Sequence, residues 1–116
     1  MHVTSLAEVE PFTTKDRSTI REFHHTEAQS VAEARLAPGQ ATERHYHART
    51  EEIYFVLEGE GQMEVDGDRR RIVAGDAILI PPGARHQIRA EGPLRFLCCC
   101  APPYTHDDTF FESSIT

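Results

Sequence analysis

Two stretches hold the residues with the most chemistry to offer. From Gly39 to Gly59 the chain reads GQATERHYHARTEEIYFVLEG, placing His45 and His47 two apart and Glu52 five further on. From Gly75 it reads GDAILIPPGARH and brings His86 after a Pro-x-Gly turn. Three imidazoles and one carboxylate make a donor set for a single divalent first-row ion. A spacing of two on a strand points both side chains to one face, so His45 and His47 can grip the same ion. Nitrogen and oxygen donors without thiolate suit Mn(II), Fe(II), Ni(II), Co(II) or Zn(II), and the donor set leaves that choice open. Four protein ligands on an octahedral ion leave two neighbouring positions for a bidentate small molecule, dioxygen, or both.

The elements that position these residues read as strands. Short segments rich in β-branched and aromatic residues recur, broken by Gly, Pro and Asp, with no long amphipathic helix between them. Strands are expected over Ser18–His25, Ser30–Leu36, Thr42–His47, Ile53–Leu57, Gln62–Val65, Arg69–Val73, Ala77–Ile80, Gln87–Ala90 and Leu94–Cys100. This is the pattern of an all-β sandwich or barrel. Asp66-Gly67 between Val65 and Arg69 is the clearest hairpin signal, because a type I′ turn needs positive φ at both central residues. Pro81-Pro82-Gly83 cannot continue a strand, so the chain must turn just before His86. Residues 1–17 read as a polar strap with Leu6, Val9 and Phe12 as docking points, 18–100 as the barrel, and 101–116 as a tail. The Phe110-Phe111 pair in that tail needs a surface, either the barrel itself or a second subunit.

Composition narrows the function classes. At 116 residues the chain is long enough for one core and too short for two. A net charge of −7 argues against a nucleic-acid partner, since phosphate binding needs clustered Lys and Arg. The one basic run, Arg69-Arg70-Arg71, follows the Asp-Gly turn and reads as a solvated hairpin arm. No apolar stretch has the length of a membrane span and the N-terminus lacks a signal pattern, so a cytoplasmic protein is expected. Cys98, Cys99 and Cys100 are consecutive, which is poor geometry for a disulfide, and an odd count fits a reducing compartment. They read as small buried hydrophobes, the alternative being that Cys98 and Cys100 face the histidines as redox or ligand thiols.

The two stretches resemble the signature motifs of the cupin superfamily, in particular its small single-domain members of the conserved-barrel type. The first motif is a glycine, five residues, His-x-His, three or four residues, a glutamate, six residues and a glycine. Gly39, His45, His47, Glu52 and Gly59 match it. The second is a glycine, five residues, Pro-x-Gly, two residues, a histidine, three residues and an asparagine. Gly75, Pro81, Gly83 and His86 match, while Ala90 stands where the asparagine would be. The resemblance implies a jelly-roll β-barrel, a metal inside one end held by His45, His47, Glu52 and His86, and commonly a homodimer. Glu51 and Glu52 both fall within the permitted gap, and the six residues to Gly59 favour Glu52.

Around these ligands, Tyr54 and Val56 share the parity of Glu52 and are expected to line the cavity. Ile53, Phe55 and Leu57 then point outside the barrel or into a subunit contact. Tyr54 is the one candidate catalytic side chain, though a core tyrosine explains it as well. Arg44 is expected to point away from the metal, and Arg49 to lie in the loop at the mouth; with Arg85 and Arg89 they also read as surface charge. His24, His25 and His106 read as surface residues. Cupins resemble one another while acting in many ways, so three functions stand side by side. They are a metal-dependent enzyme on a small organic substrate, an Fe(II) or Mn(II) oxygenase above all; a non-oxidative isomerase or cyclase using Tyr54 or an interior Glu64; and a ligand- or metal-sensing module without turnover.

Overall fold

A computed structural model describes residues 1–111. Its strands are β1 (Phe12–Thr13), β2 (Thr19–His25), β3 (Ser30–Leu36), β4 (His45–His47), β5 (Glu51–Glu58), β6 (Glu60–Val65), β7 (Asp68–Val73), β8 (Ala77–Ile80), β9 (His86–Ala90), β10 (Leu94–Ala101) and β11 (Thr109–Phe111). Every strand expected from the sequence is present, with ends moved by up to three residues. β1 and β11 add short pieces in the segments read as strap and tail. They escape sequence reading because two or three residues carry no detectable period, and their partners lie far away in the chain.

The strands form two antiparallel sheets, ordered β1-β2-β3-β10-β5-β8 and β11-β4-β9-β6-β7. Alternation explains why they face each other. On β5, Glu52, Tyr54 and Val56 are buried while Glu51, Ile53, Phe55 and Leu57 are exposed. The inward faces meet in a core of Ile20, Leu36, Val56, Met63, Ile72, Ile80, Ile88, Leu94 and Phe96. Burying such side chains is the main drive for closing the two layers.

The turns are those the residue types demand. Asp66 and Gly67 carry φ of 49° and 88°, as the I′ hairpin between β6 and β7 requires. Gly59 has φ of 91°, and a Cβ there would stand 2.0 Å from the Pro93 carbonyl oxygen, so the β5–β6 turn closes only with glycine. The tail packs back onto the barrel: β11 pairs with β4, and Phe110 stacks on Tyr46 with ring centroids 5.3 Å apart. In the strap, Leu6 and Val9 are half-buried, whereas Phe12 stays exposed on β1.

Candidate metal centre

His45 and His47 occupy alternate positions of β4, and both rings enter the space between the sheets. His86 opens β9 directly opposite His45 in the antiparallel register. The turn before it is anchored by the Gly83 N–H, which donates to the His47 carbonyl at 2.7 Å. From the other sheet β5 contributes Glu52, and β10 places Cys100 beside it and Cys98 beside Tyr54. All four sequence-expected ligands are thus buried and brought together at one end of the barrel. The ligand atoms of the three histidines lie within 4.8 Å of one another, close enough to bind one ion.

Each ring is oriented the same way. His45 Nδ1 lies 2.7 Å from the Glu43 carbonyl oxygen, His47 Nδ1 3.1 Å from that of Asp108, and His86 Nδ1 2.9 Å from that of Ala84. A carbonyl only accepts, so each Nδ1–H donates and each Nε2 is left to face the cavity. Glu52 Oε1 stands 3.4 Å from Nε2 of both His47 and His86. Yet Glu52 Oε1 and His86 Nε2 are buried without a hydrogen-bond partner among the described residues. Buried polar atoms normally have one, and a cation between these two would satisfy both. The donor set therefore fits a divalent ion.

The electrostatics keep the negative charge of the cluster on Glu52. Burial, and then the neighbouring His86, push His45 down to about 4, so its ring is neutral at physiological pH. Burial alone would raise Glu52, but the imidazoles of His47 and His86 hold its carboxyl well below the usual range. Burial would likewise lower His47, and the adjoining Glu52 carboxylate reverses this to a net rise. Tyr54 is pushed well up by burial and by the Glu52 charge, which keeps its hydroxyl protonated. The same causes raise Cys98 and Cys100, which keeps these cavity-facing thiols protonated in the metal-free protein. Cys100 Sγ instead lies 3.3 Å from Glu52 Oε2 and donates to it.

The space left among these groups is about 30 Å³ and is bounded also by Ile20, Phe96 and Tyr104. A larger cleft of about 400 Å³ between β7 and β8 holds Arg70, Asp76 and Leu79 but none of the imidazoles.

Several expectations for the surroundings hold and one is corrected. Arg44 points away from the histidines, and Arg49 is exposed at the loop beside Asp108. Arg85 lies over the Tyr46 ring at 3.8 Å. Glu64 is buried, but not on the core side of β6: Met63 takes the core-facing position, so Glu64 faces the other side. There Arg44 Nε and Nη2 grip its carboxylate at 2.8 and 2.9 Å.

Two residues of the site were invisible in the sequence. Asp108 accepts the backbone N–H groups of Ala48, Arg49 and Thr50, at 3.1 to 3.3 Å, and so fixes the loop joining β4 to β5. Asp16, in the strap, places Oδ2 3.3 Å from His45 Nε2. The Thr105–Asp108 spacing is an N-cap signal for the short 3₁₀ turn there, but nothing local shows what the carboxylate reaches. Asp16 sits in a polar turn, Thr-Lys-Asp-Arg-Ser, which reads as surface.

A cupin-domain family profile matches residues 32–100. An uncharacterized protein of Methanocaldococcus jannaschii is 43% identical over 113 residues, spanning 91% of this chain and 90% of its own. An oxalate-binding protein of Thermotoga maritima is 35% identical over 79 residues, 66% of this chain and 65% of that protein. Among solved structures, KdgF from Halomonas sp. superposes with a TM-score of 0.82 at 21% identity, over 92% of this chain and 97% of that one. A variant of Streptomyces PAC13 with uridine gives a TM-score of 0.81 at 18% identity, over 97% and 94%. At such identities the two structures speak for the fold alone.

Proposed function

The chain belongs to the cupin domain family, and from that premise we propose that it is a metal-dependent enzyme acting on a small organic substrate. His45, His47, His86 and Glu52 hold one divalent ion, and oxygenase chemistry is the favoured form. The observation that carries this reading is the buried pair Glu52 Oε1 and His86 Nε2, which face each other without a hydrogen-bond partner. A bound ion supplies Lewis acidity and open positions for substrate oxygens. The protein supplies the rest. Ile20 and Phe96 make an apolar wall that excludes water, and the protonated Tyr54 hydroxyl is the candidate group for orienting substrate.

Non-oxidative isomerisation or cyclisation ranks lower, because the engagement of Glu64 with Arg44 leaves Tyr54 alone of the two candidate acids or bases. No Lys or Arg lines the cavity among the described residues, which disfavours a phosphorylated substrate. A second reading, binding of a small oxyacid without turnover, is favoured by the small volume and by the similarity to the oxalate-binding protein. Three free cysteines suit a reducing, cytoplasmic setting.

Elemental analysis of the wild type beside His86→Ala comes first. About one equivalent of metal, lost in the variant, is expected. The Fe- and Mn-loaded protein should then consume oxygen with one of a panel of diketones, catechols and flavonoids. A thermal shift with oxalate and no product would select the binding reading. Absence of metal after reconstitution at neutral pH would sink both.

We further propose a homodimer built on the outer face of β5 and β8, where Ile53, Phe55, Leu57 and Leu79 are 38 to 56% exposed. Phe55→Glu should halve the mass measured by light scattering. A monomeric wild type would refute the arrangement.

A further inference from the structure

Asp16 stands outside both sequence motifs and is only 8% exposed, although Lys15 and Arg17 on either side are open to solvent. Taking a carboxylate out of water is costly unless both oxygens are satisfied. Oδ1 is satisfied locally, accepting from the Thr14 hydroxyl, from the Ser18 N–H at 3.0 Å and from the Ser18 hydroxyl at 2.8 Å. Oδ2 is different. It is turned to His45 Nε2 at 3.3 Å. His45 Nδ1 donates to the Glu43 carbonyl, which leaves Nε2 as the ring atom turned to Oδ2. A cation between Oδ2 and Nε2 would be held by both atoms, as one between Glu52 Oε1 and His86 Nε2 would be.

Each carboxylate stands at coordination spacing from one or two of the rings, while among the described residues the three rings form the group mutually within 4.8 Å. With bonds of about 2.1 Å, neighbouring donors on an octahedral metal lie about 3.0 Å apart and opposite ones about 4.2 Å. The separations of 3.3 Å for Asp16 and 3.4 Å for Glu52 are close to the neighbouring value. The strap is also built to hold Asp16 there. Thr14 N–H donates to Ser18 O at 2.8 Å across a turn in which Arg17 takes φ of 76°. The Asp16 carbonyl accepts from Glu43 N–H at 2.8 Å, and Lys15 Nζ reaches the Thr109 carbonyl at 3.0 Å.

We propose that Asp16 is a fifth protein ligand of the ion held by the three histidines and Glu52, so that metal loading fastens the strap over the mouth of the barrel. The inference rests on the metal-binding reading above. Five protein donors leave one of six positions free. A ligand with two oxygens therefore binds by displacing Asp16, and the strap is the part that yields.

The test loads the whole protein with Co(II), whose visible absorption reports coordination number. Asp16→Asn keeps the Oδ1 acceptor and removes the charge, so the metal-free variant should melt with the wild type. Its Co(II) affinity should fall by about 10- to 100-fold, and its absorption should rise toward that of a lower coordination number. In the wild type, Co(II) should also slow trypsin at Lys15 and Arg17, a readout that needs no variant to fold. An unchanged affinity and spectrum in Asp16→Asn, or cleavage of the wild type indifferent to Co(II), overturns the role of Asp16 while leaving the four-ligand site standing. A wild type that binds no Co(II) overturns both.

Discussion

Two glutamates in this barrel are almost equally buried and are treated in opposite ways. Glu33, on the outward side of β3, is 1% exposed, and Glu52, on the inward side of β5, is 4% exposed. Glu33 accepts from Arg35 Nε at 2.9 and 3.1 Å and from Arg95 Nε at 2.7 Å, with Arg21 Nη1 at 3.8 Å. Its charge is balanced by fixed cations, and its oxygens are occupied. Glu52 meets two imidazoles, and one of its oxygens is left without a partner. A closed cluster holds a fold together. An open one leaves an oxygen for something else, and that difference, which burial alone would not show, is the basis for proposing Glu52 as the functional carboxylate.

The largest effect expected from breaking this contrast is on metal affinity. Glu52→Gln keeps the shape of the side chain but removes the charge, and should weaken metal binding by about 100-fold, read by competition with a chelator. Its metal-free melting temperature should not fall, because the amide can donate to the unpartnered His86 Nε2. A variant that binds metal like the wild type would make Glu52 a structural residue.

Glu33→Gln should do the reverse. It should lose about 2 kcal/mol by removing the centre of a buried charge cluster, with metal affinity unchanged. The midpoint of urea unfolding reads this directly, and an unaltered midpoint would show that the arginines hold nothing in place.

The smallest effect is the pH dependence of that difference. Burial works to raise Glu33, but Arg35 and Arg95 outweigh it and hold the group below its ordinary value of 4.5. A depressed carboxylate contributes stability that is present above its unfolded pKa and lost as pH falls through the folded one. The gap between wild type and Glu33→Gln should therefore be constant near neutral pH and shrink below about 4.5. A gap that widens on acidification would contradict the arginine assignment.

The same contrast explains what could be read from the chain. The period of two on β5 and β10, the Asp66-Gly67 turn and the motif spacing of His45, His47, Glu52 and His86 are local patterns, and they survive in the sequence. Glu33 gave no sign of its cluster, since Arg95 reaches it across β10 from more than 60 positions away. Asp16 and Asp108 were hidden for the same reason. Each makes its decisive contact with β4 or the loop after it, and neither sits in a segment with a period of its own. Glu64 was misjudged because a register in which Met63 faces the core decides its side, and the sequence of β6 does not announce that register.

Asp108 also bears on when the site can exist during synthesis. Its carboxylate gathers the three N–H groups that shape the loop between His47 and Glu52, and its carbonyl sets the His47 ring. A nascent chain that has emerged only as far as β10 already carries every histidine and glutamate of the centre. It lacks the clamp that aims His47, and β11, which flanks β4. The geometry of the His47 ring and of the loop after it is thus complete only once residue 108 is in place.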